Sequence, residues 1–205
     1  MEGKGMKNSI EFYFDFSSAY SYFAASKIDD LAVEFERPVI WKPFMLGAAM
    51  KLTGNVPLTE QPIKREYCKN DWIRLAKFQG LPWILPKNFP IATVAAARGF
   101  YWIDQTNSSS AKQFARGCFH KYFGEGIDIS KLEIIADIAE SEGFARSAFL
   151  SAIQEPHIKK ILKEKTDEAI KRGMFGAPFF VVGNEMFWGA DRLWMLRHWL
   201  KRESW

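Results

Sequence analysis

The stretch Ile10–Ala24, IEFYFDFSSAYSYFA, restricts the fold more than any other part of the chain. Ile10, Phe12, Phe14 and Phe16 fall on one face of an extended segment, and Glu11, Tyr13 and Asp15 fall on the other. The alternation breaks at Ser17-Ser18-Ala19-Tyr20-Ser21. Tyr20, Phe23, Ala24, Ile28 and Leu31 then recur at helical spacing. A strand therefore runs through a tight turn straight into a helix N-terminus. Such a terminus presents unpaired N–H donors and the positive end of the helix dipole. A serine hydroxyl there has two uses: it can cap the helix, or it can donate to an anion. The local pattern leaves both open for Ser17 and Ser18.

The rest of the chain repeats the strand–helix alternation at its two ends only. Pro38–Pro43 (PVIWKP) reads as a second strand, which makes a parallel βαβ start. Phe44–Leu58 reads as a loop, marked by Gly47, Gly54-Asn55 and Pro57. Helical spacing returns from Glu60 to about Gly80 through Ile63, Tyr67, Trp72, Leu75 and Phe78. Leu81–Pro90 (LPWILPKNFP) holds three prolines and cannot be a regular helix. Helices are expected over Thr93–Asp104 and Ser109–Phe123. A Ser130…Glu133 capping box opens another, to about Glu142, followed by Ala145–Ile153 and Pro156–Arg172. Pro156 suits a first helical turn, and Gly173 suits a helix stop. Pro178–Val182 (PFFVV) and Met186–Trp188, joined by Gly183-Asn184, read as a hairpin. Leu193–Lys201 reads as a last helix. The order is β-α-β, a helical block, then β-β-α, with no repeat.

The bulk numbers allow this and little more. At 205 residues and 48% hydrophobic content, the chain can bury one core, with or without an insertion. A net charge of +4 is spread without blocks of like sign, so nothing points to nucleic acid. The first ten residues, MEGKGMKNSI, lack an apolar core for a signal peptide, and no apolar run is long enough to span a membrane. The two cysteines, Cys68 and Cys118, form no CxxC pair, which favours a reduced, cytoplasmic setting. His120, His157 and His198 stand apart from other ligand-type residues, so no metal is expected.

These residues carry a family resemblance. The phrase DFSSAYSYFA resembles the DF-x-SPYSYLA opening of 2-hydroxychromene-2-carboxylate isomerases and kappa-class glutathione transferases. In order along the chain follow the Gly54-Asn55 loop, Lys64 and Tyr67, Asn70-Asp71, Leu81-Pro82 and Leu85-Pro86, Phe175-Gly176-Ala177-Pro178, and Gly189-Ala190-Asp191-Arg192. Together they span about residues 8 to 200 and imply a DsbA-like thioredoxin fold. This is an α/β class: one βαβ…ββα domain over 1–205, with thioredoxin parts at about 8–47 and 174–203 and an all-helical insertion at about 60–173.

The resemblance also implies a site. In this fold the first helix terminus usually carries a reactive cysteine. Here serines occupy the turn, so the chain cannot exchange disulfides there. Ser18 matches the catalytic serine and is expected to donate a hydrogen bond to the thiolate of bound glutathione, with Tyr20 beside it. Pro178 matches the cis proline of the fold, against the plainer reading of a trans proline at a strand start. Its cis bond would present the Ala177 backbone to the cysteinyl part of glutathione. The Ala190 and Asp191 amides would hold the γ-glutamyl carboxylate. The Asp191 side chain would pair with the ammonium or cap the last helix. Asn55 is expected to touch both glutathione and substrate, with Lys51, Lys64 and Phe89 on the substrate side.

The chain departs from the family pattern at several of these places. Ala19 stands where proline usually follows the serine. Lys51 sits one place beyond the aligned position, which holds Met50. Leu58-Thr59-Glu60 replaces an Asn-Arg pair, and Phe89 replaces a tyrosine. The implied function is a glutathione-dependent isomerase, with a kappa-like transferase or peroxidase as the alternative. A disulfide oxidoreductase is opposed by the missing CxxC, and a non-catalytic glutathione binder is the competing non-enzyme reading. A small-molecule substrate and a homodimer are implied as partners.

Overall fold

The computed structural model describes residues 8–205. The expectation that the first ten residues hold no signal peptide falls largely on residues 1–7, which lie outside the described ones. β1 (Ile10–Phe14) leads through the serine turn to α1 (Ala19–Ala25) and α2 (Ile28–Glu34), and the chain returns as β2 (Val39–Pro43). β2 lies parallel to β1, with Ile10 opposite Val39 and Phe14 opposite Pro43. The end of the chain supplies β3 (Phe179–Val182) and β4 (Glu185–Trp188). β3 pairs antiparallel with β1, Phe12 opposite Phe180, and β4 pairs antiparallel with β3. The four-stranded sheet therefore runs β2-β1-β3-β4, so strands from the two ends of the chain form one mixed sheet.

β1 is central and covered on both faces. Phe12 stacks on Phe180 at 5.4 Å, and Phe14 meets Phe119 at 5.6 Å. On the other face Tyr13 packs edge-on against Phe44 at 6.4 Å. Glu11 pairs with Lys42 at 3.0 Å and with Arg172, so this polar face is roofed rather than solvated.

Between β2 and β3 lie α3 (Leu46–Thr53), α4 (Lys64–Gln79), α5 (Val94–Asp104), α6 (Ser108–Phe119), α7 (Leu132–Ser141), α8 (Arg146–Ala152) and α9 (Pro156–Lys171). α10 (Leu193–Arg202) closes the described chain. Pro156 opens α9 as expected, and Gly173 lies just past its end at φ +90°.

Three local expectations are corrected. The helical spacing from Tyr20 to Leu31 is two helices: α1 stops at Ala25, where the Ser26 hydroxyl bonds the Phe23 carbonyl at 2.9 Å and competes with the helix ladder. The expected loop over Phe44–Leu58 contains α3, because Ala48 to Leu52 are all good helix formers. The glycine that suggested a loop, Gly54, instead ends that helix at φ +72°. The Ser130…Glu133 capping box does not form. Lys131 is the N-cap, and Ser130 bonds backward to Asp128 Oδ1 through both its N–H (2.9 Å) and its hydroxyl (2.6 Å). A carboxylate two residues upstream is the stronger local acceptor.

Candidate functional site

Ser18 is the N-cap of α1, in extended backbone at φ −99°, ψ 112°. Its Oγ accepts from the Ser21 N–H at 3.1 Å, so it caps the helix. The hydroxyl has one proton, and that proton is donated elsewhere: to the Ala177 carbonyl at 3.1 Å, from a residue 159 positions away. Capping and donation coexist on one side chain. Ser18 is 8% exposed, so its hydroxyl works in a largely dry setting.

The Ala177-Pro178 bond is cis, and β3 begins at the next residue. The Pro178 carbonyl accepts from the Gly189 N–H at 2.9 Å. Gly189, at φ +105°, then feeds the 3-10 turn Ala190–Arg192 that leads into α10. An ideal Cβ on Gly189 would lie 2.4 Å from Asp191 Oδ1, so the Asp191 side chain folds back over the glycine. This turn packs against α1. Ser18, Ala177, Pro178, Ala190 and Asp191 are thus brought into one corner, although they lie at opposite ends of the sequence.

The Asp191 carboxylate is exposed and pairs with Arg192 at 2.5 Å. It is not the N-cap of α10; Arg192 holds that position without a side-chain cap bond. That leaves the Asp191 carboxylate facing solvent beside the corner.

Tyr20 is the second residue of α1 and donates to Asp71 Oδ2 at 2.9 Å. Burial, reinforced by the Asp71 charge, raises the Tyr20 phenol well above its ordinary value. Cys68 contacts the same phenol, and burial pushes its thiol up. Neither group is therefore ready to ionise near neutral pH. The Tyr20 ring meets Trp72 edge-on at 6.1 Å, and Trp72 meets Phe89 at 5.5 Å. Phe89, half-buried, also packs against Phe123 at 5.9 Å. These rings make an aromatic wall beside the serine turn.

The other substrate-side candidates stand apart. Lys51 and Asn55 are exposed, at the end of α3 and just after it. Lys64 is exposed at the start of α4. No described contact joins any of the three to Ser18. Two surface grooves, of about 470 and 520 Å³, lie on the helical side of the molecule. The first is lined by Ile73, Lys77 and Trp83 among others, the second by residues between Ile84 and Lys131. Neither is lined by Ser18 or another candidate site residue.

Two residues have structural duties at the turn that the local pattern does not announce: Ser17, a candidate cap or anion donor, and Asp15. Ser17 Oγ accepts from the Ile91 N–H at 3.0 Å and so ties the proline-rich segment to the serine turn. Asp15, assigned only to a strand face, is buried beneath that turn. The available signal was its position, a carboxylate between two phenylalanines at the strand end.

Comparison with known proteins agrees with this architecture. A family model described as a DSBA-like thioredoxin domain matches residues 9–201. The chain is 31% identical to the 2-hydroxychromene-2-carboxylate isomerase of Pseudomonas putida over 189 residues, covering 91% of each chain. It is 27% identical to glutathione S-transferase kappa 2 of Caenorhabditis elegans, covering 90% of this chain and 88% of that one. A solved structure of a 2-hydroxychromene-2-carboxylate isomerase superposes with a TM-score of 0.86 at 31% identity, covering 95% of both chains. The chain is an enzyme of the DSBA-like thioredoxin domain family, related to its 2-hydroxychromene-2-carboxylate isomerases and kappa glutathione transferases.

Proposed function

We propose that the chain is a glutathione-dependent isomerase of an aromatic keto acid resembling 2-hydroxychromene-2-carboxylate. The observation that carries this reading is the Ser18 hydroxyl at a helix start, aimed at the carbonyl that precedes a cis proline. When bound, glutathione supplies a thiolate that adds to a conjugated substrate, permits rotation about the bond and leaves again, with no net change to itself.

The residues present fit that cofactor. Ser18 can turn its single proton from the Ala177 carbonyl to a thiolate without giving up its cap role, since the cap uses the oxygen lone pair. A hydrogen bond to an ionised sulfur is charge-assisted and stronger than the neutral one it replaces. α1 has only seven residues, so the hydroxyl, more than the helix dipole, is the group that favours the thiolate. The Ala177 backbone would pair with the cysteinyl part. The Ala190 and Asp191 amides would hold the γ-glutamyl carboxylate, and the Asp191 side chain would hold the ammonium. Phe89 would face the aromatic substrate, with Asn55, Lys51 and Lys64 closing the site from the exposed side.

A second reading is a kappa-like transferase or peroxidase, in which glutathione is consumed. The Tyr20–Asp71 bond favours it, because Asp71, like Lys64, matches mainly the kappa-class sequences that the chain resembles. Assays with glutathione and either the chromene carboxylate or chlorodinitrobenzene separate the two. Turnover of neither above the uncatalysed rate removes both.

A homodimer is part of the same proposal, supported by the exposed Trp194 and Trp205. Light scattering tests it, and a monomer mass at working concentration removes it. A cytoplasmic setting is supported by two free, buried thiols. No helix among the described residues is long and apolar enough to cross a membrane.

A further inference from the structure

Asp15 stands three residues before Ser18, is 5% exposed, and has no cation among its described hydrogen-bond partners. Its partners are three donors from three segments. Oδ1 accepts from the Ser17 N–H at 2.7 Å and from the Thr93 hydroxyl at 3.1 Å. Oδ2 accepts from the Leu46 N–H at 2.9 Å. Its own backbone carbonyl accepts from the Ser18 N–H at 3.0 Å. Burying a carboxylate is costly unless its lone pairs are used. Burial raises the Asp15 carboxyl above its ordinary value, and three donors with no competing acceptor work against that by favouring the ionised form.

Thr93 is the N-cap of α5, and threonine commonly caps a helix with its hydroxyl. Here α5 has no side-chain cap bond, and the Thr93 hydroxyl donates to Asp15. Leu46 is the first residue of α3, and α3 also lacks a side-chain cap at Met45. Asp15 fills that role from just past the end of β1. One carboxylate therefore meets the starts of two helices and the serine turn together.

The segments it meets are the ones the site needs. α3 carries Lys51 and leads to Asn55. Thr93 follows the segment that contains Phe89, and the Ile91 N–H of that segment bonds Ser17 Oγ at 3.0 Å. We propose that Asp15 is a positioning residue, a buried carboxylate that holds the Ser17-Ser18 turn in register with the two segments bearing the substrate-side residues. The inference rests on the glutathione reading for what is positioned, but not for the geometry itself. Asp15 touches no reacting atom; it acts through the turn, α3 and the start of α5.

The test removes the donors and leaves the carboxylate. Thr93→Val deletes one arm at nearly constant shape, and Thr93→Ser keeps it. Leu46→Pro deletes another, at a first helical position where proline is tolerated. The expected result for Thr93→Val and Leu46→Pro is a loss of about tenfold in kcat/KM for the keto acid, as for a small misplacement of reacting groups. The glutathione Kd stays within about twofold, and Thr93→Ser restores the rate. A fall in Tm with unchanged kinetics per folded molecule overturns the proposal, because the arms would then be structural only. Amide hydrogen exchange without any ligand supplies the second readout. Exchange at Ser17 and Leu46 should quicken about tenfold in Thr93→Val, while Val181 in β3 stays protected. Unchanged exchange at both amides overturns the proposal even if glutathione binds. If the wild-type protein does not bind glutathione, the functional reading falls and the exchange result alone decides on Asp15.

Discussion

The indole of Trp188 occupies the space that a side chain on Gly176 would need: an ideal Cβ there would lie 2.3 Å from Trp188 Nε1. Trp188 is also 4.7 Å from the Phe175 ring, so these aromatic rings flank the glycine just before Ala177 and the cis proline. Gly176→Ala must displace the indole or shift the backbone that presents Ala177. The expected cost is about 1–3 kcal/mol, as for overpacking, together with weaker glutathione binding. Trp188 is 52% exposed, so removing its ring should relieve the clash at little cost. In a Trp188→Ala background, Gly176→Ala should therefore cost less than about 1 kcal/mol. A double-mutant cycle of urea denaturation checks this, and additive costs would argue against the steric account.

Glu11 links the sheet to α9. Burial raises its pKa, but hydrogen bonds and charge from Lys42 and Arg172 outweigh burial, so its carboxyl is held below the ordinary value. A lowered folded-state pKa gives stability that is present above the unfolded value, about 4.3, and is lost as pH falls through the folded one. Glu11→Gln should therefore be less stable than wild type at neutral pH, by about 1–2 kcal/mol for a partly buried, charge-assisted pair. The gap should shrink as pH drops below about 4. Thermal melts of both proteins across that range measure it; a gap that widens in acid would contradict the assignment.

Ile63 is a branched residue held at φ +69°, ψ −56°, with its side chain 90% exposed. The Lys64 N–H bonds the Pro62 carbonyl at 2.7 Å, which makes a γ-turn of the strained hand. Glycine adopts that backbone freely. Relief of about 1–3 kcal/mol of strain should exceed the entropic cost of glycine, about 0.4–1 kcal/mol. Ile63→Gly should raise stability by about 1 kcal/mol, read from the denaturation midpoint at constant slope.

What the sequence announced was what is local or periodic. The alternation in Ile10–Phe16 located β1, Gly183-Asn184 located the hairpin turn between β3 and β4, and Pro156 and Gly173 bracketed α9. Family resemblance joined Ser18 to Pro178 and Asp191, and the fold brings those segments into one corner. The features that stayed hidden depend on long-range bonds. Asp15 is satisfied by donors 2, 31 and 78 positions away, and no periodicity encodes the last two. α3 was masked by Gly47, which lies in its first turn, and by Gly54, which ends it. Ser130 looked like a cap until Asp128 claimed both of its donors. Lys51, Asn55 and Lys64 were legible as candidates, but their exposed positions leave them without a described contact to the serine turn.

Ser18 carries two bonds, and its replacement should separate them. Ser18→Ala loses the cap to Ser21, worth about 1 kcal/mol, and the bond to Ala177, worth about as much. The fold should survive with a Tm lower by several degrees. Turnover should fall by about a hundredfold, the scale seen when one preorganised donor is removed. An active Ser18→Ala enzyme would move the thiolate donor elsewhere.

The most direct measurement follows glutathione itself. Titrating it into wild-type and Ser18→Ala protein, while recording the ultraviolet signature of the thiolate against pH, reads binding and ionisation separately. Glutathione on the wild-type protein should ionise about one to two units below the free thiol value of about 8.5. On Ser18→Ala it should still bind, with that shift largely lost. Absence of binding to the wild-type protein, or an equal thiolate signal from both proteins, would contradict Ser18 as the thiolate donor.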